Sequence, residues 1–255
     1  MSGHSKWSTI KRQKGAADIK RGLTFTKLAN AITITVKLSG SGDPDSNPRL
    51  RVVMEEARSV NMPKENMQRA IDRGLGKLPG QTLEEVTYEG FGPGKVAFYL
   101  EAVTDNKLRT LQEIKNLFER SGGNLGGLGS SAYLFSPKGE IKVRSKEGSS
   151  EDEQLELIDC GAEDVEAFQE ENMQTYLVYT EGVKLNEVSN KITQAGFKIL
   201  TQNLIMKPIS LQQIDDIEMA KKVIEFVDKL EEYDDIQKVY NNMDINEDIL
   251  TDVLK

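Results

Sequence analysis

GEIKVRSKEGSSEDEQLELIDCGAEDVEAFQEENMQTYLVYTEGVKLNEVSNKITQAGFKILTQNL, residues 139–204, is the stretch that decides the fold. Residues 141–144 read as a strand and residues 152–160 as a helix. Two further strands follow at 165–170 and 174–180. Leu185, Val188 and Ile192 then recur at helical spacing, Gly196 stops that helix, and residues 198–204 return as a strand. The order strand–helix–strand–strand–helix–strand is the ferredoxin-like one.

On its N-terminal side this unit is preceded by an incomplete copy of the same kind. Strands are expected at 85–89 and 96–103, joined by Gly90-Phe-Gly-Pro-Gly94. A helix follows with Leu108, Leu111, Ile114, Leu117 and Phe118 on its buried side, Gly122-Gly123 stops it, and residues 132–135 read as a short strand. On the C-terminal side, Ile217, Ala220, Ile224, Val227 and Leu230 mark a helix, and 237–242 a last strand. That leftover pair can complete the earlier unit, which makes the ferredoxin-like stretch an insertion into it. At the N-terminus, Phe25, Leu28, Ile32 and Val36 form a helical stripe, although residues 31–38 also alternate as a strand would. Asn47-Pro48 opens a second helix carrying Leu50, Val53, Met54 and Ala57; Pro63 opens a third through Met67, Ala70 and Ile71, closed by Gly74. The fold class is therefore α+β, an N-terminal three-helix domain followed by two ferredoxin-like α/β domains, one inserted into the other. The expected domains are residues 1–78, residues 79–136 with 205–255, and residues 137–204.

Charge is segregated along the 255 residues. The chain carries 33 Lys and Arg against 41 Asp and Glu, a net of -8, yet residues 1–77 hold 15 basic and 7 acidic side chains. This opening segment is thus +8 and the rest -16. A basic module on an acidic body points to a polyanionic partner, and the acidic remainder does not forbid one because charges beyond about 8 Å are largely screened at physiological salt. The candidate nucleic-acid contacts are Lys6, Trp7, Lys11, Arg12, Lys14, Lys20, Arg21, Lys27, Arg49 and Arg51. Cations neutralise phosphates, and an exposed indole stacks on an unpaired base, although Trp7 is better suited to anchoring the N-terminal segment on the bundle.

Other chemistry finds little support. With one histidine, His4, and one cysteine, Cys160, there is no context for a nucleophile–imidazole pair, a zinc site or an intrachain disulfide. No cofactor, metal site, catalytic residue or small-molecule substrate is expected. No apolar run approaches the roughly 20 residues that cross a bilayer, and the first residues lack a secretory core, so a cytoplasmic address without membrane contact is the expectation. The Gly92-Pro-Gly-Lys95 loop is not a P-loop: Glu89 stands where the first glycine belongs and Val96 where Ser or Thr belongs. The run Ser121–Ser131, with Gly122, Gly123, Asn124, Gly126 and Gly129, admits two readings. Its N–H groups turn together toward a nucleic-acid backbone, or the glycines serve only a helix-to-strand connection. No helix-turn-helix or RNA-recognition signature is present to read bases.

The segments together resemble the YebC/PmpR family. The resemblance rests on Gly3-His-Ser-Lys-Trp7, Asp18 with Arg21, Phe25-Thr-Lys27, Asn47-Pro-Arg-Leu-Arg51, Met62-Pro with Arg69-Ala-Ile71, and Tyr88-Glu-Gly. It continues through Thr104-Asp-Asn106 with Arg109-Thr110, Gly122-Gly-Asn with Gly129-Ser130, Gly161-Ala-Glu-Asp-Val165 and Val239-Tyr-Asn-Asn242. Lys95 departs from it, standing where a second glycine is common, and so does Leu108, where a polar residue is usual. The resemblance implies three domains, one inserted in another, and a probable transcriptional regulator. It also implies a link to translation, since a mitochondrial relative is associated with activating it and bacterial relatives with ribosomes stalled on proline-rich sequence. Promoter DNA and ribosomal RNA or the ribosome itself are thus both open as partners, and the sequence leaves the oligomeric state undetermined.

Overall fold

A computed structural model of the chain describes residues 19–78, 82–146, 148–170 and 173–253. They form two compact units, one comprising residues 19–131 together with 221–239, the other 132–220 together with 240–253.

The first unit begins with helices α1 (Ile19–Ser39), α2 (Pro48–Ser59) and α3 (Lys64–Gly74). The alternation at 31–38 is resolved as helix, and its cause is burial on two sides. Leu28, Ile32 and Val36 share a core with Leu50, Met67 and Ile71, while Ile34, two positions out of phase, packs with Leu83 and Val103. The Asn47 side chain accepts the N–H of Leu50 at 3.1 Å and caps α2. Helices α1 and α3 touch at backbone distance: a Cβ on Gly74 would lie 2.6 Å from the Thr33 carbonyl oxygen, and Thr33 Oγ1 donates to the Ala70 carbonyl at 3.0 Å. Strands β1 (Glu84–Phe91) and β2 (Ala97–Thr104) pair antiparallel, α4 (Lys107–Arg120) follows, and β3 (Asn124–Gly126) pairs antiparallel with β1. Residues 132–135, expected as strand, are instead a 3₁₀ turn at Ala132–Leu134 running into the next strand at Phe135. The edge strand lies inside the glycine run because only glycines allow the approach; a Cβ on Gly123 would sit 2.5 Å from the Phe91 carbonyl oxygen.

In the second unit come β4 (Phe135–Arg144), α5 (Ser150–Asp159), β5 (Asp164–Glu170), β6 (Met173–Glu181), α6 (Leu185–Gln194) and β7 (Lys198–Pro208). The sheet order is β5-β6-β4-β7 with every neighbouring pair antiparallel, which is the ferredoxin-like arrangement. One face buries Ile141, Val143, Tyr176 and Val178 beneath Leu157, Val188 and Ile192 of the two helices. Strand β8 (Gln212–Ile214) and helix α7 (Ile217–Glu231) follow, and β9 (Ile236–Asn241) lies beside β2, giving the first sheet the order β3-β1-β2-β9. This is the same arrangement with one strand moved to the front of the chain, so the ferredoxin-like stretch is inserted into it. In the first unit Phe226 of α7 meets Phe98 and Phe118 edge-on at centroid distances of 5.0 and 4.9 Å. Strand β10 (Met243–Ile245), parallel to β8, and helix α8 (Glu247–Val253) close the chain. These three-residue strands are too short for any periodicity to announce them.

Candidate nucleic-acid interface

Lys6, Trp7, Lys11, Arg12 and Lys14 lie outside the described residues, and Lys20 and Arg21 contribute the backbone of the first turn of α1. The other three predicted cations are engaged. Lys27 Nζ donates to the Glu231 carbonyl at 2.5 Å, placing a cation at the negative end of α7. Arg49 pairs with Glu85 at 2.5 Å. Arg51 donates to the carbonyls of Pro44 and Asp45, both at 3.2 Å. The Arg49 pair is exposed on both sides, and such pairs contribute only about 0–1 kcal/mol.

The glycine run is built around an internal carboxylate. Glu89, buried on β1, accepts the N–H groups of Gly129 and Ser131, each at 2.8 Å. The N–H of Gly123 returns to the Phe118 carbonyl at 2.8 Å and that of Gly122 to Glu119 at 3.1 Å, closing α4 with Gly122 at φ 78°. Asn124 to Gly126 pair with β1, and the Ser130 N–H bonds the Gly127 carbonyl at 3.1 Å. The N–H groups named here therefore have partners within the chain, and the loop presents Leu128, 83% exposed, at its tip.

The motif residues Thr104, Arg109 and Thr110 converge on Asp235, in the connection between α7 and β9. Its Oδ2 accepts from Thr110 Oγ1 at 2.7 Å, Arg109 at 2.8 Å and Thr104 Oγ1 at 3.1 Å. The Asp235 hydrogen bond is the main cause that raises the Arg109 pKa. These residues pin the returning segment to the first sheet.

Sequence reasoning passed over a groove between α1 and α3. It is open, about 500 Å³, with Phe25, Ala29 and Thr33 recurring every four residues on one wall and Asn66, Arg69 and Arg73 on the other. The signal was present in the spacing of the last three, which places them on one helical face. Phe25 is half-buried with part of its ring against the core, and Arg69 is exposed with no ion-pair partner among the described residues. By contrast, the helix-free face of the second sheet, where RNA-recognition modules place stacking aromatics, is closed. Phe168 and Tyr179 are 4% and 5% exposed, and Lys207 Nζ lies 3.4 Å from the Tyr179 ring centroid.

Among the described residues no group of three or more His, Cys, Asp and Glu is placed to hold a metal ion. Burial, with Glu156 and Asp159 adding to it, pushes the Cys160 thiol up, the opposite of an activated nucleophile. No helix among them is long and apolar enough to cross a membrane.

A helical bundle joined to two ferredoxin-like sheets, one interrupting the other, defines a three-domain α+β protein. The chain belongs to the TACO1/YebC family: the description "TACO1/YebC protein N-terminal domain" matches residues 5–77, and "TACO1/YebC second and third domain" matches 83–243. It is 45% identical over 252 residues, 98% of each chain, to a protein of Chlorobaculum tepidum named "Probable transcriptional regulatory protein". A protein of the same name from Aquifex aeolicus is 44% identical over 253 residues, 99% of this chain and 100% of that one. The crystal structure of a conserved hypothetical protein from Aquifex aeolicus superposes with a TM-score of 0.80 at 43% identity, covering 92% of this chain and 96% of that one.

Proposed function

We propose that this protein is a non-enzymatic, cytoplasmic regulator of gene expression that binds nucleic acid through its basic N-terminal helical domain. In this reading the domains are residues 1–78, 79–136 with 205–255, and 137–204. The observation that carries it is the segregation of charge, +8 over residues 1–77 against -16 over the remainder. The relatives' name as transcriptional regulators favours DNA as the partner. Contacts run from Lys6, Trp7, Lys11, Arg12, Lys14, Lys20 and Arg21, with Lys27, Arg49 and Arg51 in support. A translation factor contacting ribosomal RNA is the second reading, and the α1–α3 groove favours it because its size and lining suit an unpaired strand.

With about five phosphate contacts, log affinity for duplex DNA falls against log salt with a slope of about -4 to -5. Replacing Lys11, Lys14, Lys20 and Arg21 together by alanine flattens that slope; an unchanged slope rejects the assigned cations. Fractionating crosslinked lysate after nuclease treatment separates the two readings, through co-migration with ribosomes on one side and discrete promoter footprints on the other.

A further inference from the structure

We propose that the α1–α3 groove is a binding site for one unpaired nucleotide of a single strand, the base stacked on Phe25 and the flanking phosphates held by Arg69 and Arg73. This rests on the nucleic-acid reading above and adds to it a site and a strandedness. Three observations lead there. The groove volume of about 500 Å³ falls in the lower half of the ~300–1,000 Å³ range of ligand clefts, enough for a base and its sugar. A half-buried phenylalanine with Ala29 beside it offers a flat apolar wall, and every base has a π-face to lay on such a wall. Arg69 and Arg73, four residues apart, are separated by about 6 Å along the helix axis, comparable with the spacing of neighbouring phosphates on a strand.

Asn66, one turn before Arg69 on the same wall, supplies an amide that can donate to and accept from a base edge. A duplex keeps its bases inside its own stack, so it can present only backbone to this groove. The arginines alone would fit any polyanion. The apolar wall selects a strand whose bases are free, and Ala29 is the small residue that leaves room for one.

The test is fluorescence anisotropy of the full chain with three labelled ligands of one mixed sequence: an RNA single strand, a DNA single strand and the DNA duplex. Phe25→Leu keeps bulk but removes the ring, and weakens binding of the single strands about five- to tenfold, while Phe25→Tyr restores it. Ala29→Leu fills the groove without changing charge and weakens the single strands at least about tenfold, leaving the duplex within about twofold. Arg69→Ala with Arg73→Ala weakens single strands and reduces their salt slope. Loss on RNA alone supports the site and assigns a contact to the 2′-hydroxyl; equal loss on RNA and DNA supports it without one. Single-strand affinity unchanged in both Phe25→Leu and Ala29→Leu overturns the site while leaving the nucleic-acid reading intact. Equal losses on single strands and duplex also overturn it. A wild-type chain that binds none of the three ligands removes the underlying reading, and ribosome association that then depends on Phe25 would make the groove a dock for protein.

Discussion

Glu89→Gln tests whether the glycine run owes its shape to a carboxylate rather than to an external anion. In the wild type, two N–H groups from Gly129 and Ser131 point at one buried carboxylate at 2.8 Å each. The amide replacement keeps one acceptor oxygen and turns an NH₂ group toward the other N–H. One charge-assisted bond becomes a neutral one, and one buried donor faces another donor. Hydrogen bonds to charged groups contribute about 1.5–3 kcal/mol, and an unsatisfied buried donor costs about 1–3, so a local loss of about 2–3 kcal/mol is expected. That corresponds to about a 30- to 150-fold fall in hydrogen-exchange protection at the Gly129 and Ser131 amides. Exchange at Ile141 and Val178, in the inserted sheet, serves as the internal control and stays unchanged. Unaltered exchange at 129 and 131 would refute the reasoning, and so would an equal rise at every amide.

Asp235→Ala strips the acceptor from Thr104, Arg109 and Thr110 at once, and a loss of about 2–3 kcal/mol in urea unfolding of the first unit is expected, because the buried Thr104 and Thr110 hydroxyls lose a charged acceptor while Arg109, 46% exposed, stays solvated and keeps Asp105. Lys95 has φ 61°, left-handed backbone that costs a side chain about 1–2 kcal/mol, so Lys95→Gly raises the melting temperature. Gly74→Ala drives a methyl to 2.6 Å from the Thr33 carbonyl oxygen and destabilises the bundle by about 1–3 kcal/mol in thermal melts. Glu153 supplies a pH dependence. Burial alone would raise its pKa, but hydrogen bonds from Ser145 and from the N–H groups of Gly148 and Lys146 hold it below the ordinary value. Its contribution is therefore full above the unfolded glutamate pKa and is lost as pH falls through the lower folded one; Glu153→Gln flattens the acid limb of a pH–stability curve.

What the sequence made legible were the elements with several turns or pleats of pattern. The inserted unit's six elements, and its place inside another sheet, follow from periodicity and from the unpaired helix and strand after residue 204. Ile34 shows how a correct helix can carry a misleading alternation, since burial on opposite faces of α1 puts apolar residues at every second position. The partners that explain the motifs were invisible because they are remote: Glu89 lies 40 residues before Gly129, and Asp235 lies 125 after Thr110. The groove was missed for a related reason. Asn66, Arg69 and Arg73 look like a solvated helix face until α1 is known to stand opposite with Phe25. Of the ten cations and aromatics chosen from the sequence, the described side chains of Lys27, Arg49 and Arg51 all have internal partners.

The interruption of the first sheet also sets an order of events during synthesis. Strand β2 waits for β9, whose first residue, Ile236, is made about 110 residues after Gly126 ends β3. At about 5–20 residues per second, a nascent chain carries an unfinished sheet for about 5–20 s, while the intervening four-stranded sheet is already complete. Emergence of Asp235 then supplies, together with β9, the contacts that end the exposure of that edge, so the last-made acceptor serves the first-made strands.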